Sequence, residues 1–475
     1  MSTEEMWQSE PWALRHPGSG SALRTRLRAG LASPRLPFLL IGWIVLFTLG
    51  SLFIANPFVT EASAAVAPDF WSSMYLHGLL TALVGVLALV VCQVFAAGSP
   101  AARGVIAGSA VVATVATGIG GVFDTRLPGA EAATFTQNLG FLALDAMLVA
   151  LIVAMVGAMQ RRGRATRTLA FWTALPSVAA MLLAAVLGHV AGWMMQFGAW
   201  PGFLADYLRG LGIDSTTMTE KLIVAHSREM VAAVMSLLVA LAAQQFGAPR
   251  LGRASRAVVR AGLLTVTAGL LLTAAVYVAM GITAWEPPAL FQLGGGSNGI
   301  LLDQLVLGLT VMLGGAVTLV ALAVGRGLLH PLRLVAAWSW LLSFATVVVA
   351  GYAIELDETY FGAGDPGAAG APKDAVFTWL HQDVGLFLLP ALVLVMVLAE
   401  RHLGLRLGRR VAWLAAVGAS VTFVGVMVWV FVDPRLHGAG YAICTTGIAV
   451  IGLAVIVADW AGLRRPAEPA AAEER

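Results

Sequence analysis

Charge is what this 475-residue sequence has least of: Asp, Glu, Lys and Arg make up 12% of it, against 59% hydrophobic residues. A soluble domain carries about 25% charged residues, so a chain with this little charge has no large water-facing surface to cover. Cysteine is nearly absent too. Cys92 and Cys444 both fall inside apolar runs, and no CxxCH or CxxC occurs, which excludes covalent c-type haem attachment and a paired-cysteine metal site. Strict apolar–polar alternation is also missing, which excludes a membrane β-barrel. The polar opening segment has no short apolar core followed by a small-residue cleavage site, so it reads as a cytoplasmic arm rather than a signal peptide.

Long continuous apolar runs are what the chain does have. A run of about 20 residues crosses a hydrocarbon core of ~30 Å. Such runs recur at 36–55, 73–97, 104–122, 139–159, 169–196, 222–246, 261–281, 299–325, 334–353, 377–400, 411–432 and 440–462. The expected organisation is therefore an arm (1–35), an all-α membrane domain of about twelve transmembrane helices (36–462) and a disordered cytoplasmic tail (463–475).

The cations orient these helices. With the amino terminus inside, 23 of the 29 Lys and Arg fall on inner segments, among them Arg24, Arg103, Arg161, Arg253, Arg326 and Arg409. Five lie on outer loops (Arg126, Arg209, Lys221, Lys373 and Arg435), and Arg228 sits within the sixth run. Cytoplasmic loops carry the excess of positive charge, so both termini are expected in the cytoplasm, with the helices in a bacterial-type inner or plasma membrane. The net charge of +3 reports this topology and not a nucleic-acid partner; the partner implied throughout is lipid.

Eight histidines are present. His16, His330, His402 and His437 lie in loops or at helix ends and read as solvated or headgroup-level side chains. The other four differ. His77, His226 and His381 open the second, sixth and tenth runs, which travel inward, and His189 lies late in the fifth, which travels outward. All four are thus expected in one layer in the outer third of the membrane. Polar groups in lipid face the bundle interior and find a partner, and a neutral imidazole is a natural axial ligand for haem iron. Spacing adds a repeat: 226 − 77 = 149 residues and 381 − 226 = 155. Each of these three histidines starts the second helix of a four-helix block. Arg228, Glu229, Asp145, Asp303 and Asp383 are candidates for the surroundings of this layer.

Twelve helices as three pseudo-symmetric arcs of four, with histidines opening helices two, six and ten and an LHG at 76–78, resemble subunit I of the haem-copper oxidases and the related nitric oxide reductases. The resemblance implies a b-type haem held by His77 and His381 and a metal-ligand role for His226; Arg228 is a candidate for pairing with the haem propionates, because a guanidinium pairs well with carboxylates. The chain also departs from that family. Around His381 it reads Trp379-Leu380-His381-Gln382-Asp383, where the family has two histidines. Its seventh run, GLLTVTAGLLLTAAVYVAM, has no histidine at all. One imidazole does not hold copper tightly, so copper or non-haem iron at the family's usual site is disfavoured, and His189 and His226 are left for a second metal or haem in another arrangement. The implied activity is electron transfer or redox and gas chemistry, with a cytochrome, a quinol or other membrane subunits as partners. Two alternatives stand beside it: a polytopic transporter or channel, and a variant oxidase or nitric oxide reductase with a non-standard metal site.

Overall fold

The computed structural model describes residues 36–37, 39–42, 68–126, 131–161, 164–197, 206, 210, 215–247, 251–282, 310–325, 330–356, 380–431 and 437–464. The arm at 1–35, most of the first apolar run, Asp303 and the tail beyond Arg464 lie outside the described residues. Helices account for nearly all the rest: α1 Pro68–Val94, α2 Pro100–Arg126, α3 Glu131–Gln160, α4 Leu169–Phe197, α5 Ser215–Gln245 and α6 Arg253–Ile282. They continue with α7 Leu313–Val324, α8 Pro331–Leu356, α9 Leu389–His402, α10 Leu405–Phe431 and α11 His437–Arg464. A π-helical segment, Leu380–Leu388, leads into α9. Nine helices among the described residues are long and apolar enough to cross a membrane, and the chain is a multi-pass membrane protein. The α1–α11 series matches the second to twelfth apolar runs, and 36–37 and 39–42 add helical residues from the first.

The outer faces carry the signature of lipid as solvent. Val105, Val112 and Ile119 on α2 are exposed at seven-residue spacing, as are Val417 and Val424 on α10. Exposed apolar stripes of this kind are a liability in water, whereas hydrocarbon tails are as apolar as they are. Helix contacts use small residues, which let backbones approach closely. A Cβ on Gly418 would lie 2.8 Å from Ile451, and Gly425 and Gly447 are just as tightly covered by Cys444 and Thr422 across the α10–α11 seam. Gly42, from the first apolar run, lies against α11 in the same way, where an added Cβ would come within 2.9 Å of Asp459 Oδ2.

Sequential helices pack as neighbours, but the middle of the bundle is made by three that are far apart in sequence. Helices α1, α5 and α9 all touch one another. The α9 and α5 spans are 83% and 72% buried, and the other spans reach at most 56%, so these two are interior while the rest keep a lipid face. On α1, every residue from Thr81 to Cys92 is buried. These are the second, sixth and tenth runs, the ones that open with His77, His226 and His381.

At the end remote from the histidines, three successive residues of α9 each hold a different helix. Glu400 Oε1 accepts from Arg333 of α8 at 3.1 Å, and Arg401 Nη1 donates to Gln245 Oε1 of α5 at 3.4 Å. His402 Nε2 and Gln93 Oε1 of α1 lie 3.1 Å apart. The Arg333 guanidinium also sits 5.7 Å from the centre of the Phe246 ring, and His330 Nε2 lies 3.4 Å from Glu400. His330 and His402, read from sequence as solvated or headgroup-level, are also part of a polar clasp. Their helix-end positions are shared with truly solvated histidines, and only the opposing helices supply the acceptors. From His226 to Gln245 and from His381 to Arg401 the chain spans roughly 28–30 Å at 1.5 Å per residue, the thickness of a hydrocarbon core.

Irregular backbone is compensated from α8. Pro390 has no N–H, and its ring crowds the carbonyl one turn back; the widened π register just before it relieves that conflict. Ser343 Oγ of α8 donates to Gly385 O within this segment at 2.7 Å, and Trp340 Nε1 donates to Met312 O in the π-turn before α7 at 2.8 Å. Backbone carbonyls at membrane depth have no water to bond, so α8 supplies the donors.

The α10–α11 seam gives a direct test. Gly425→Ala is expected to destabilise the protein by about 1–3 kcal/mol through overpacking, read as a lower thermal midpoint in detergent. Gly104→Ala on α2, where nothing lies within 4 Å of the added methyl, leaves the midpoint unchanged or raises it.

Candidate functional site: a layer of imidazoles

Four helices bring four rings into a row. His226 of α5 and His77 of α1 have ring planes within 7° of parallel, with centroids 6.2 Å apart. The Phe141 ring of α3 stands edge-on to His77 at 5.5 Å and to His189 of α4 at 5.7 Å. Beyond His189 the row ends on a carboxylate: Asp145, one turn from Phe141 on α3, places Oδ2 2.9 Å from His189 Nδ1. The common depth expected for these histidines is thus matched by contact for His77, His226 and His189. Phe141 escaped the sequence reading, because one phenylalanine in an apolar run carries no signal of what it stands between.

His381 is placed differently. It lies in the π-helical segment before α9, and its Nδ1 is 3.0 Å from Val347 O of α8. The Arg228 guanidinium is near enough to bear electrostatically on His381. No ring contact joins His381 to His77 or His226 among the described residues. The side chain of Asp383 lies outside those residues.

Hydrogen-bond chemistry fixes the tautomers. A carbonyl oxygen only accepts, so His226 Nδ1, 2.7 Å from Ala184 O of α4, must donate. The same holds for His381 Nδ1 on Val347 O, and His189 Nδ1 has the Asp145 carboxyl group as its partner. In the neutral ring each Nδ1–H leaves the lone pair on Nε2. This is the outer-shell pattern that orients metal-ligating histidines, with the far nitrogen held by a carbonyl or a carboxylate. Three of the four intramembrane histidines have it.

Glycine makes one of these bonds possible. A Cβ on Gly188 would come within 2.6 Å of His226 Nδ1, so the imidazole reaches the α4 backbone only because that side chain is missing. One turn along α5 from His226, Glu229 is fully buried, and neither carboxylate oxygen has a hydrogen-bond partner among the described residues. Its neighbour Arg228 points to another face of the helix, as adjacent residues must. Among the described residues the buried Tyr277 hydroxyl of α6 also has no hydrogen-bond partner, and its side chain belongs to the apolar cluster that includes Leu187 and Ala191 of α4 and Leu222 of α5. Orphaned polar atoms are costly in an apolar interior, and on α5 Glu229 is one turn from His226.

Among the described residues no three His, Cys, Asp or Glu side chains come together in a way that could hold a metal ion. What the layer offers instead is single, oriented imidazoles, the ligand type used for the axial positions of haem iron.

Gly188→Ala is expected to push His226 off Ala184 O and cost about 1–3 kcal/mol, measured as a drop in thermal midpoint. Gly192→Ala, one turn further along α4 with nothing within 4 Å of the added methyl, shows no such drop.

No family model matches this chain, and no curated protein is significantly similar to it.

Proposed function

We propose that this is a haem-binding membrane cytochrome built on the plan of haem-copper oxidase subunit I, with twelve helices in three arcs of four and both termini in the cytoplasm. The observation that carries the reading is the meeting of α1, α5 and α9 in the middle of the bundle, each with a histidine opening its apolar run. Support also comes from the pinned Nδ1 atoms of His226, His381 and His189.

The residues present fit a b-type haem. His77 and, as the resemblance implies, His381 would hold it, and a haem held by two imidazoles would supply electron transfer. Ala184 O and Val347 O hold the rings of His226 and His381 in one orientation, and Arg228 offers a guanidinium, the side chain that pairs best with carboxylates such as propionates. Phe141 packs edge-on between His77 and His189, and α1 below His77 is buried from Thr81 to Cys92. Asp145, 2.9 Å from Nδ1, holds the His189 ring in one orientation. Redox or gas chemistry, with a cytochrome, a quinol or another membrane subunit as partner, follows from a haem at this depth.

A reduced-minus-oxidised spectrum of the protein purified from haem-supplied cells is the test. The expected result is a b-type signature that His77→Ala abolishes or shifts. A wild-type protein with no b-type bands would sink the proposal. Substrate flux in proteoliposomes that survives loss of both His77 and His381 would favour a transporter instead.

A further inference from the structure

We infer that one lipid-facing stripe of α10 binds an anionic phospholipid, with Arg406 and Arg410 on the phosphate and the acyl chains along Trp413, Val417 and Val424. The inference needs no haem and concerns the end of the bundle that bears the Glu400–Arg401–His402 clasp. At 100° per residue these five side chains fall within about 60° of one another, so they form one line down the helix. Arg406 and Arg410 are exposed, and Trp413, Val417 and Val424 are 52%, 54% and 50% exposed. Cations, then an indole, then aliphatic side chains follow a lipid from headgroup to tail. A guanidinium pairs well with phosphate, and tryptophan favours the membrane interface. Trp338 of α8 walls one flank: its Nε1 donates to Ser420 Oγ, between Val417 and Val424, at 2.9 Å.

Among the described residues no ion pair or hydrogen bond engages either guanidinium. Glu400 is held by Arg333 and His330, and Asp459 of α11 is buried against Gly42. The stretches 98–103, 161–168, 246–260, 326–332 and 401–410, which join helices at this end, contain no Asp or Glu. Basic side chains beside membrane helices attract anionic headgroups. Charge that serves only to orient the helices is indifferent to its spacing, and α6 supplies the comparison. It carries a similar stripe, with exposed Arg253 and Arg260 above Leu264 and Leu271, each 56% exposed. Its arginines are two turns apart, roughly 10 Å, and the helix has no tryptophan. Arg406 and Arg410 are one turn apart, roughly 6 Å along the helix, close enough to share one phosphate.

The full chain, purified in a mild detergent, is titrated with phosphatidylglycerol or with phosphatidylcholine of the same acyl chains, and bound lipid is counted by native mass spectrometry. The expected result is tighter binding of the anionic lipid. That binding weakens at least about fivefold in the paired variant Arg406→Gln/Arg410→Gln and is unchanged in Arg253→Gln/Arg260→Gln. Equal weakening in the two paired variants means diffuse attraction by net charge and overturns the site. So does equal binding of the two lipids. Displacement of the lipid by millimolar inorganic phosphate marks a free-anion site and overturns it too. Should the α10 pair not purify, Arg406→Gln and Arg410→Gln are titrated singly, and binding that neither change weakens is equally fatal.

Discussion

Inside a membrane no polar atom can fall back on water, and this protein is organised by that single constraint. Each backbone carbonyl released by an irregular turn, each imidazole and each carboxylate at membrane depth has to be answered from within the bundle or left at a cost of several kcal/mol. Helix α8 answers the two π-helical segments, with Trp340 on Met312 O and Ser343 on Gly385 O. The α4 backbone answers His226, and α3 answers His189 through Asp145. Threonines settle the matter locally: Thr117, Thr267, Thr273 and Thr318 donate to carbonyls four residues back in their own helices.

The same constraint divides the central helices into two polar ends and an apolar shaft. Histidines occupy one end and the Glu400–Arg401–His402 clasp the other, while α1 between them is buried leucine, valine and alanine. The clasp fixes the relative height of α1, α5, α8 and α9, because each contact joins residues at the same level on different helices. Once that register is set at one end, rigid helices carry it to the other, where His77 and His226 come level. The distance between their rings therefore depends on the whole shaft as well as on the residues beside them.

Much of this was legible before any coordinates. Apolar run length marked the helices, because a membrane core of fixed thickness demands a fixed number of residues. The even spacing of His77, His226 and His381 singled out the three helices that meet in the middle, although residues 149 and 155 positions apart carry no local signal of contact. The π register before α9 was hidden, since a proline inside an apolar run is equally compatible with a kink or a break. The partners of His330 and His402 were hidden for a related reason: at a helix end, sequence does not show that an imidazole meets Gln93 or Glu400.

By itself, then, the sequence determined the solvent, the helices and which of them hold histidines, since these follow from hydropathy and spacing along one chain. Tertiary structure alone decided which histidines face each other. It placed His77 beside His226, set Phe141 between His77 and His189, and turned His381 toward α8. Those outcomes depend on helix rotation and on close approach at glycines such as Gly188, and a turn of one residue, about 100°, would send the same imidazole to a different neighbour.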